Sequence, residues 1–350
     1  MKMRRIPVIL PALLVLAISC TEKEAGPDTG NGGNKGDVQV PEVMKDLWET
    51  SPADKDMTAR MEAFGSIQKY ADECSDLTFS KYLEADDRLA ASLAMSVPVL
   101  ECYDAAFDRV LEGVAKTSPA EGEVHIWMLY NMGYVIKTPS GCFGIDIYHR
   151  RGAELEPYLD FYASTHVHQD HRCDALADAM IEAGKPVLTN WLDRPGYSWT
   201  STSAEDYEIG GFSIHTFITR HNNGDTNVPV TVFQISCGED TDHFTLLHSG
   251  DSNFIADEYD VTADIDVYIP RYAPNALTEN NVIGKVFSPD YVLLSHILEL
   301  SHADPSVSRW TLEQGLERAS ELDCEKTYMP FWGETAIWKD GELNFNLYTE

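Results

Sequence analysis

Thr165-His166-Val167-His168-Gln169-Asp170-His171 places three imidazoles and one carboxylate within six residues. A hydrophobic-aromatic run, Tyr158-Leu159-Asp160-Phe161-Tyr162-Ala163-Ser164, leads into it, and a helix-like run from about Ala175 to Glu182 follows. The order reads as strand, short ligand-dense loop, helix. Imidazole is a good ligand for zinc, iron and nickel, and a carboxylate beside it suits a second hard or borderline ion. His166 and His168 are two apart, so in extended backbone they share a face. Asp170 and His171 come after the chain begins to turn and can address a different point. One tight loop can therefore serve two metals.

The stretch His166-Val167-His168-Gln169-Asp170-His171 resembles the H-x-H-x-D-H motif of the metallo-β-lactamase-fold metallohydrolases. That resemblance implies an α/β fold, a four-layer αββα sandwich, here preceded by an N-terminal helical segment. It also implies three more ligands downstream, each at a strand end: a His, the Asp of a Gly-Asp pair, and a last His. Phe212 to Thr219 alternates as a strand, and His221 stands at its end; His215 is a mid-strand competitor. Phe244 to Ser249 reads as a strand running into Gly250-Asp251, where the glycine permits close backbone approach. Ser288 to His296 is a further strand ending in His, with His302 as the alternative last ligand and Glu299 or His302 as outer support.

By the resemblance, His166, His168 and His221 hold one metal, Asp170, His171 and His296 hold the other, and Asp251 touches both. Asp170 or Asp251 would orient the water and take its proton. Asp146, at the end of the strand-like run from Cys142, resembles the family's Asp that helps hold the metal loop. Two divalent ions are expected; zinc is the default, and manganese or iron fit the same ligands. Oxygen-reducing diiron members typically place Glu where this chain has His168, which favours hydrolysis. The implied chemistry is attack by a metal-bound hydroxide on an ester, lactone, amide or phosphodiester of a small molecule. The spacing and His221-Asn222-Asn223-Gly224 look most like lactonase or phosphodiesterase-type members. Two divalent ions, two carboxylates and one hydroxide leave about +1, so an anionic substrate is permitted locally. The competing readings are a non-catalytic envelope-tethered binding protein on the same fold, and a mononuclear iron oxygenase-like member that would not need His171 and His296.

The start of the chain speaks of compartment. Lys2, Arg4 and Arg5 precede an apolar run, Ile6 to Ile18, and Ala17-Ile18-Ser19-Cys20 closes it. This is the pattern of a bacterial lipoprotein signal, too short for a comfortable membrane span. Residues 1–19 are expected to be the signal peptide. Residues 20–38, rich in Gly, Asn and charge, form a tether from a lipid-modified Cys20 at the cell envelope. Residues 39–118 read as two or three helices, with Met57, Met61, Phe64, Ile67 and Tyr70 and then Leu89, Leu93, Val97, Leu100, Tyr103 and Phe107 as apolar faces. Pro98 should kink or split the second segment. Structural packing is the better reading of these helices than a lid.

Residues 119–350 carry the metal-binding fold. His125 to Lys137 reads as one strand, Thr138-Pro139-Ser140-Gly141 as a turn and Cys142 to Ile147 as its hairpin partner. Lys185 to Asn190 is the next strand. The long loop after it holds Trp191, Tyr197 and Trp199, which could contact an apolar ligand or cover the core. His149 reads as a packing or solvent-facing residue. Six further Cys residues permit disulfides outside the cytoplasm, but spacing gives no pairing. A formal net charge of -31 disfavours a nucleic-acid partner.

Overall fold

The structure is a computed structural model that describes residues 4–5, 40–192, 204–221, 225–272, 282–302 and 309–348. The expected signal segment apart from Arg4-Arg5, Cys20 and its tether, Tyr197 and Trp199, and Asn222-Asn223-Gly224 lie outside the described residues. Among the described residues, no helix is long and apolar enough to cross a membrane.

The N-terminal segment forms five helices where two or three were expected: α1 (Glu42–Trp48), α2 (Thr58–Asp72), α3 (Asp76–Leu83), α4 (Asp87–Ala94) and α5 (Pro98–Lys116). Local capping makes the difference. The Ser75 hydroxyl accepts from Thr78 N and the Asp86 carboxylate accepts from Leu89 N, so each opens a new helix. Pro98 does split the second segment. It starts α5, where its missing N–H costs nothing. The expected apolar faces hold at Phe64, Ile67, Leu100, Tyr103 and Phe107, but Met61 and Leu89 stay more than a third exposed.

After α5 the chain builds two sheets. The first comprises β1 (Glu123–Tyr130), β2 (Gly133–Thr138), β3 (Gly141–Ile145), β4 (Phe161–Ser164) and β5 (Val187–Thr189), with α6 (Asp174–Glu182) between the last two. The second comprises β6 (Glu205–Ile209), β7 (Phe212–His221), β8 (Asp225–Ser236), β9 (Thr245–His248), β10 (Val267–Ile269) and β11 (Tyr291–Leu293), then, after α7 (Leu312–Ala319), β12 (Thr327–Tyr328). The chain then returns to the first sheet as β13 (Thr335–Lys339) and β14 (Glu342–Asn346), two strands the sequence reading did not anticipate. The first sheet runs β14-β13-β1-β2-β3-β4-β5. The second runs β6-β7-β8-β9-β10-β11-β12, with Arg4-Arg5 aligned outside β6.

Each sheet is antiparallel on one side and parallel on the other: β3, β4 and β5 are parallel in the first, and β9 through β12 in the second. Phe143 of β3 and Phe161 of β4 meet Phe212 of β7 edge-on at 5.2 and 5.6 Å, so the sheets face each other across an aromatic core. α5 packs on β1 and α6 on β4 and β5, so helices cover the first sheet, and α7 buries Leu312, Gly315 and Ala319; two facing mixed sheets flanked by helices make the expected α/β sandwich.

Two local expectations are corrected. The run His125 to Lys137 is two strands, because Asn131 (φ 54°) and Met132 make a tight turn inside it. The strand before the metal loop begins at Phe161, since the 3₁₀ turn Gly152–Tyr158 occupies the preceding residues. Among the described residues no disulfide is formed: Cys74, Cys102, Cys142, Cys173, Cys237 and Cys324 are free thiols. His149 is a packing residue, fully buried and stacked on Phe107 at 4.0 Å.

The helices pack on the strands rather than hanging over them. The Trp48 indole N–H donates to Trp332 O at 2.8 Å, Phe64 meets Phe331, and Tyr103 sits 4.8 Å from Tyr130 at the end of β1. Arg60 reaches through this layer to Glu334 with two 2.6 Å hydrogen bonds.

Candidate metal centre

Parallel strands end on one edge of a sandwich, and loops leaving those ends converge. The loop after β4 carries His166 to His171, β7 ends at His221, and the loops after β9 and β11 carry Asp251 and His296. The structure brings all seven expected ligand residues together in two groups: His166, His168, His221 and Asp251, and Asp170, His171 and His296. Within each group the donor atoms lie within 4.8 Å of one another. Only His168 and His221 are partly exposed, so the site is reached from their side.

The donor atoms are aimed by the residues behind them. The Asp146 carboxylate accepts from Thr165 N at 2.7 Å and from Thr165 Oγ1 at 2.8 Å. It also binds His171 Nδ1 at 2.8 Å, which turns Nε2 of His171 inward. Asp146 has φ 48°, so the chain turns sharply as it leaves β3 and delivers the carboxylate under the loop. Thr165 Oγ1 lies 3.1 Å from His166 Nδ1 and leaves Nε2 of His166 facing His168 Nδ1, also at 3.1 Å. Two nitrogens on one tetrahedral ion, each about 2.0–2.1 Å from it, stand roughly 3.3 Å apart, so this pair has ligand spacing.

Gly250 (φ 47°) lets the Asp251 loop pass against the Thr165 loop; a Cβ there would lie 2.4 Å from Thr165 Oγ1. Asp251 then lies between the groups. Its Oδ2 is 3.4 Å from His221 Nε2, and its Oδ1 is 3.5 Å from His171 Nε2 and 3.4 Å from His296 Nε2. Asp170 Oδ2 is 3.1 Å from His171 Nε2 and 3.3 Å from His296 Nε2.

These residues fit two cations. Nε2 of His171, His221 and His296 and Oδ1 of Asp251 are buried without a hydrogen-bond partner. Such atoms carry a desolvation cost that a bound ion removes. The electrostatics agree. Burial disfavours charge on His171, yet the carboxylates of Asp170, Asp251 and Asp146 outweigh it and raise its imidazole well above the usual range. Burial also opposes ionisation of Asp170 and Asp251. The histidines around them (His171 foremost for Asp170, His296 for Asp251) win and hold both carboxyls well below the usual range. His166 is pushed well below the ordinary imidazole range by burial and then by His171, so its ring nitrogen stays a free donor. A neutral His166 therefore stands in one group and an anionic Asp170 beside a readily protonated His171 in the other, with the Asp251 carboxylate between them.

The alternatives fall elsewhere. His302 is outside both groups; its ring is 6.4 Å from that of His296, and its Nδ1 faces Glu299 at 3.4 Å. His215 lies mid-strand on β7 and pairs with Asp206 at 2.7 Å. Glu299 is buried and touches no ligand by hydrogen bond; it accepts from Tyr130 OH and Ser301 N, and burial and then Asp170 raise its carboxyl. Trp191 donates from its indole to Ser164 Oγ at 2.9 Å beneath the metal loop, so it braces that loop.

Sequence reasoning missed Asn131 and His248. Asn131 Nδ2 donates to Asp170 Oδ2 at 2.9 Å, and His248 Nε2 meets Met132 O at 2.9 Å. Asn131 had a readable signal, an Asn-x-Gly inside an apolar run. His248 had none, since a histidine near a strand end is silent about its partner.

No family model matches the sequence, and no curated protein does. Among solved structures the chain is similar to the metallo-beta-lactamase fold protein YhfI from Bacillus subtilis. It is 14% identical, with a TM-score of 0.44, over 61% of this chain and 98% of that one. It is similar to Igni18, a metallo hydrolase from Ignicoccus hospitalis, at 18% identity and a TM-score of 0.44, over 62% of this chain and 99% of that one. It is also similar to CmlA, a diiron beta-hydroxylase from Streptomyces venezuelae, at 13% identity and a TM-score of 0.44, over 64% of this chain and 55% of that one. The fold assignment rests on the strand order and packing described above.

Proposed function

We propose that this chain is a dinuclear metallohydrolase acting on an ester, lactone, amide or phosphodiester bond of a small molecule, with zinc the first choice of metal and manganese or iron the alternatives. The observation that carries this reading is Asp251, whose two oxygens face different histidine groups. His166, His168 and His221 would hold one ion, Asp170, His171 and His296 the other, and Asp251 both. Ions held there supply Lewis acidity toward a carbonyl or phosphoryl oxygen and a nucleophile from water near neutral pH. The chain's own part is to aim and to accept. Asp146 locks the His171 ring, and Thr165 supports the His166 ring. Asp170 or Asp251, kept anionic by their histidines, would orient the attacking water and take up its proton. The partly exposed His168 and His221 mark the face from which substrate enters.

The test is elemental analysis of the purified chain, with His168→Ala beside it. Two divalent ions per chain, fewer in the variant, together with turnover on a panel of lactones and phosphodiesters, are the expected results. A single iron would point to oxygenase-like chemistry, and no metal after reconstitution would leave only a binding role.

The same proposal places the protein at the cell envelope, held by a lipid on Cys20; the positive start, the apolar run and Ala17-Ile18-Ser19-Cys20 support it. Expressed in a bacterium, the chain should partition with membranes, and Cys20→Ala should release it to the soluble fraction. An unchanged membrane fraction in the variant would refute the anchor.

A further inference from the structure

The turn between β1 and β2 reaches every ligand loop of the second half of the site. Tyr130 OH donates to Glu299 Oε1 at 3.1 Å and accepts from Leu300 N at 2.6 Å, fixing the segment that follows His296. Asn131 O accepts from His296 N at 3.1 Å. Met132 O accepts from His248 Nε2 at 2.9 Å, and His248 Nδ1 accepts from Gly250 N at 3.3 Å, one residue before Asp251. Three consecutive residues thus hold the loops of His296 and Asp251 by main chain and by the Tyr130 hydroxyl.

The Asn131 side chain adds the remaining loop. It is fully buried, and its Nδ2 donates to Asp170 Oδ2, the same oxygen that faces His171 and His296. Its Oδ1 has no partner, so the amide is spent on this one bond. A side chain kept only for the turn would gain more by satisfying both ends or by being glycine, since φ is 54° here. A carboxylate oxygen has room for one N–H and one cation, and the bond fixes the direction in which the second lone pair points.

We propose that Asn131 is the positioning residue of the half-site formed by Asp170, His171 and His296, and that its amide sets the affinity of that half alone. The inference rests on the dinuclear reading above. Outer hydrogen bonds to metal ligands typically change metal affinity by about 10–100-fold. Asp170 is the ligand affected; His166, His168 and His221 have no bond to the turn.

The experiment titrates the metal-free chain with Zn²⁺ against a chromophoric chelator, then repeats the titration with Co²⁺ and records the visible spectrum. Asn131→Gly removes the amide while tolerating the left-handed backbone, and Asn131→Asp keeps the shape but turns a carboxylate toward Asp170. The parent is expected to bind two ions. Asn131→Gly should weaken one of them by about 10–100-fold and leave the other within a few-fold. Its one-ion Co²⁺ species should have the spectrum of His296→Ala and not that of His168→Ala. Asn131→Asp should show at least as large a loss at the same half, and it decides the matter if the glycine variant does not fold. Two ions at parental affinity in both Asn131 variants, or equal weakening of the two, would overturn the assignment. A parent that binds only one ion would overturn the dinuclear reading itself, an outcome visible before any variant is compared.

Discussion

On the dinuclear hydrolase proposal, Asp251→Asn is expected to reduce bound divalent metal from two ions per chain to one or fewer and to lower hydrolytic turnover by roughly 10³-fold or more. The size follows from what the residue touches. Its two oxygens lie between 3.4 and 3.5 Å from His221, His171 and His296, so it alone faces both histidine groups with charge. Asparagine keeps the volume but offers one oxygen and no charge, and it presents an N–H₂ to whichever group the amide nitrogen faces. A metal's transition-state stabilisation is worth several kcal/mol, and each 1.36 kcal/mol is about tenfold in rate, which gives the estimate. The variant should still fold, because among the described residues the carboxylate has no backbone hydrogen bond of its own and asparagine keeps its volume. Elemental analysis and steady-state kinetics on the same sample read both effects. A variant with two ions at parental affinity and turnover within tenfold of the parent would show that Asp251 is not shared between the two groups.

The candidate metal site was legible because its chemistry is concentrated. His166, His168, Asp170 and His171 fall in one short segment, and the other three expected ligands each stand at or just after a strand end. Strand ends are visible as the close of an apolar run. What supports those ligands was much less legible. Asn131 is hidden in a run that reads as one continuous strand, and only its tight turn brings it beneath Asp170. His248 is 116 residues from the Met132 carbonyl it touches. The five-helix count was available in principle from Ser75, Asp86 and Pro98, which are capping and starting residues. The apolar spacing drew the eye across those breaks. β13 was missed because its partner β1 lies some two hundred residues earlier, whereas β14 follows it across Asp340-Gly341, a hairpin signal that was locally readable. Local chemistry is written locally, whereas support across the sandwich depends on register that no single segment specifies.

The same distance separates the residues whose loss should cost the fold most. Arg60, on α2, is 1% exposed and Glu334, just before β13, is 4% exposed. They meet through two 2.6 Å hydrogen bonds, Arg60 Nη2 also donates to Met329 O at 3.1 Å, and Glu334 Oε2 accepts from Phe331 N at 2.7 Å. The pair therefore ties the helical layer to the turn that leads back into the first sheet. Arg60→Leu leaves a buried carboxylate with the Phe331 N–H as its remaining hydrogen-bond donor, and breaking a buried pair by removing one partner costs about 3–5 kcal/mol. For a chain of this size that is a fall in melting temperature on the order of 10 °C. Replacing both partners should cost less than Arg60→Leu alone, because Arg60→Leu with Glu334→Gln leaves no unpaired charge while the glutamine oxygen can still accept from Phe331 N. Thermal and denaturant unfolding of the two single variants and the double variant form the cycle that reads this coupling. If Arg60→Leu stays within about 1 kcal/mol of the parent, the helices are held by their apolar contacts at Trp48, Phe64 and Tyr103 alone. A loss near the expected size that the double variant partly restores would identify the ion pair as the lock between the helical layer and the sandwich.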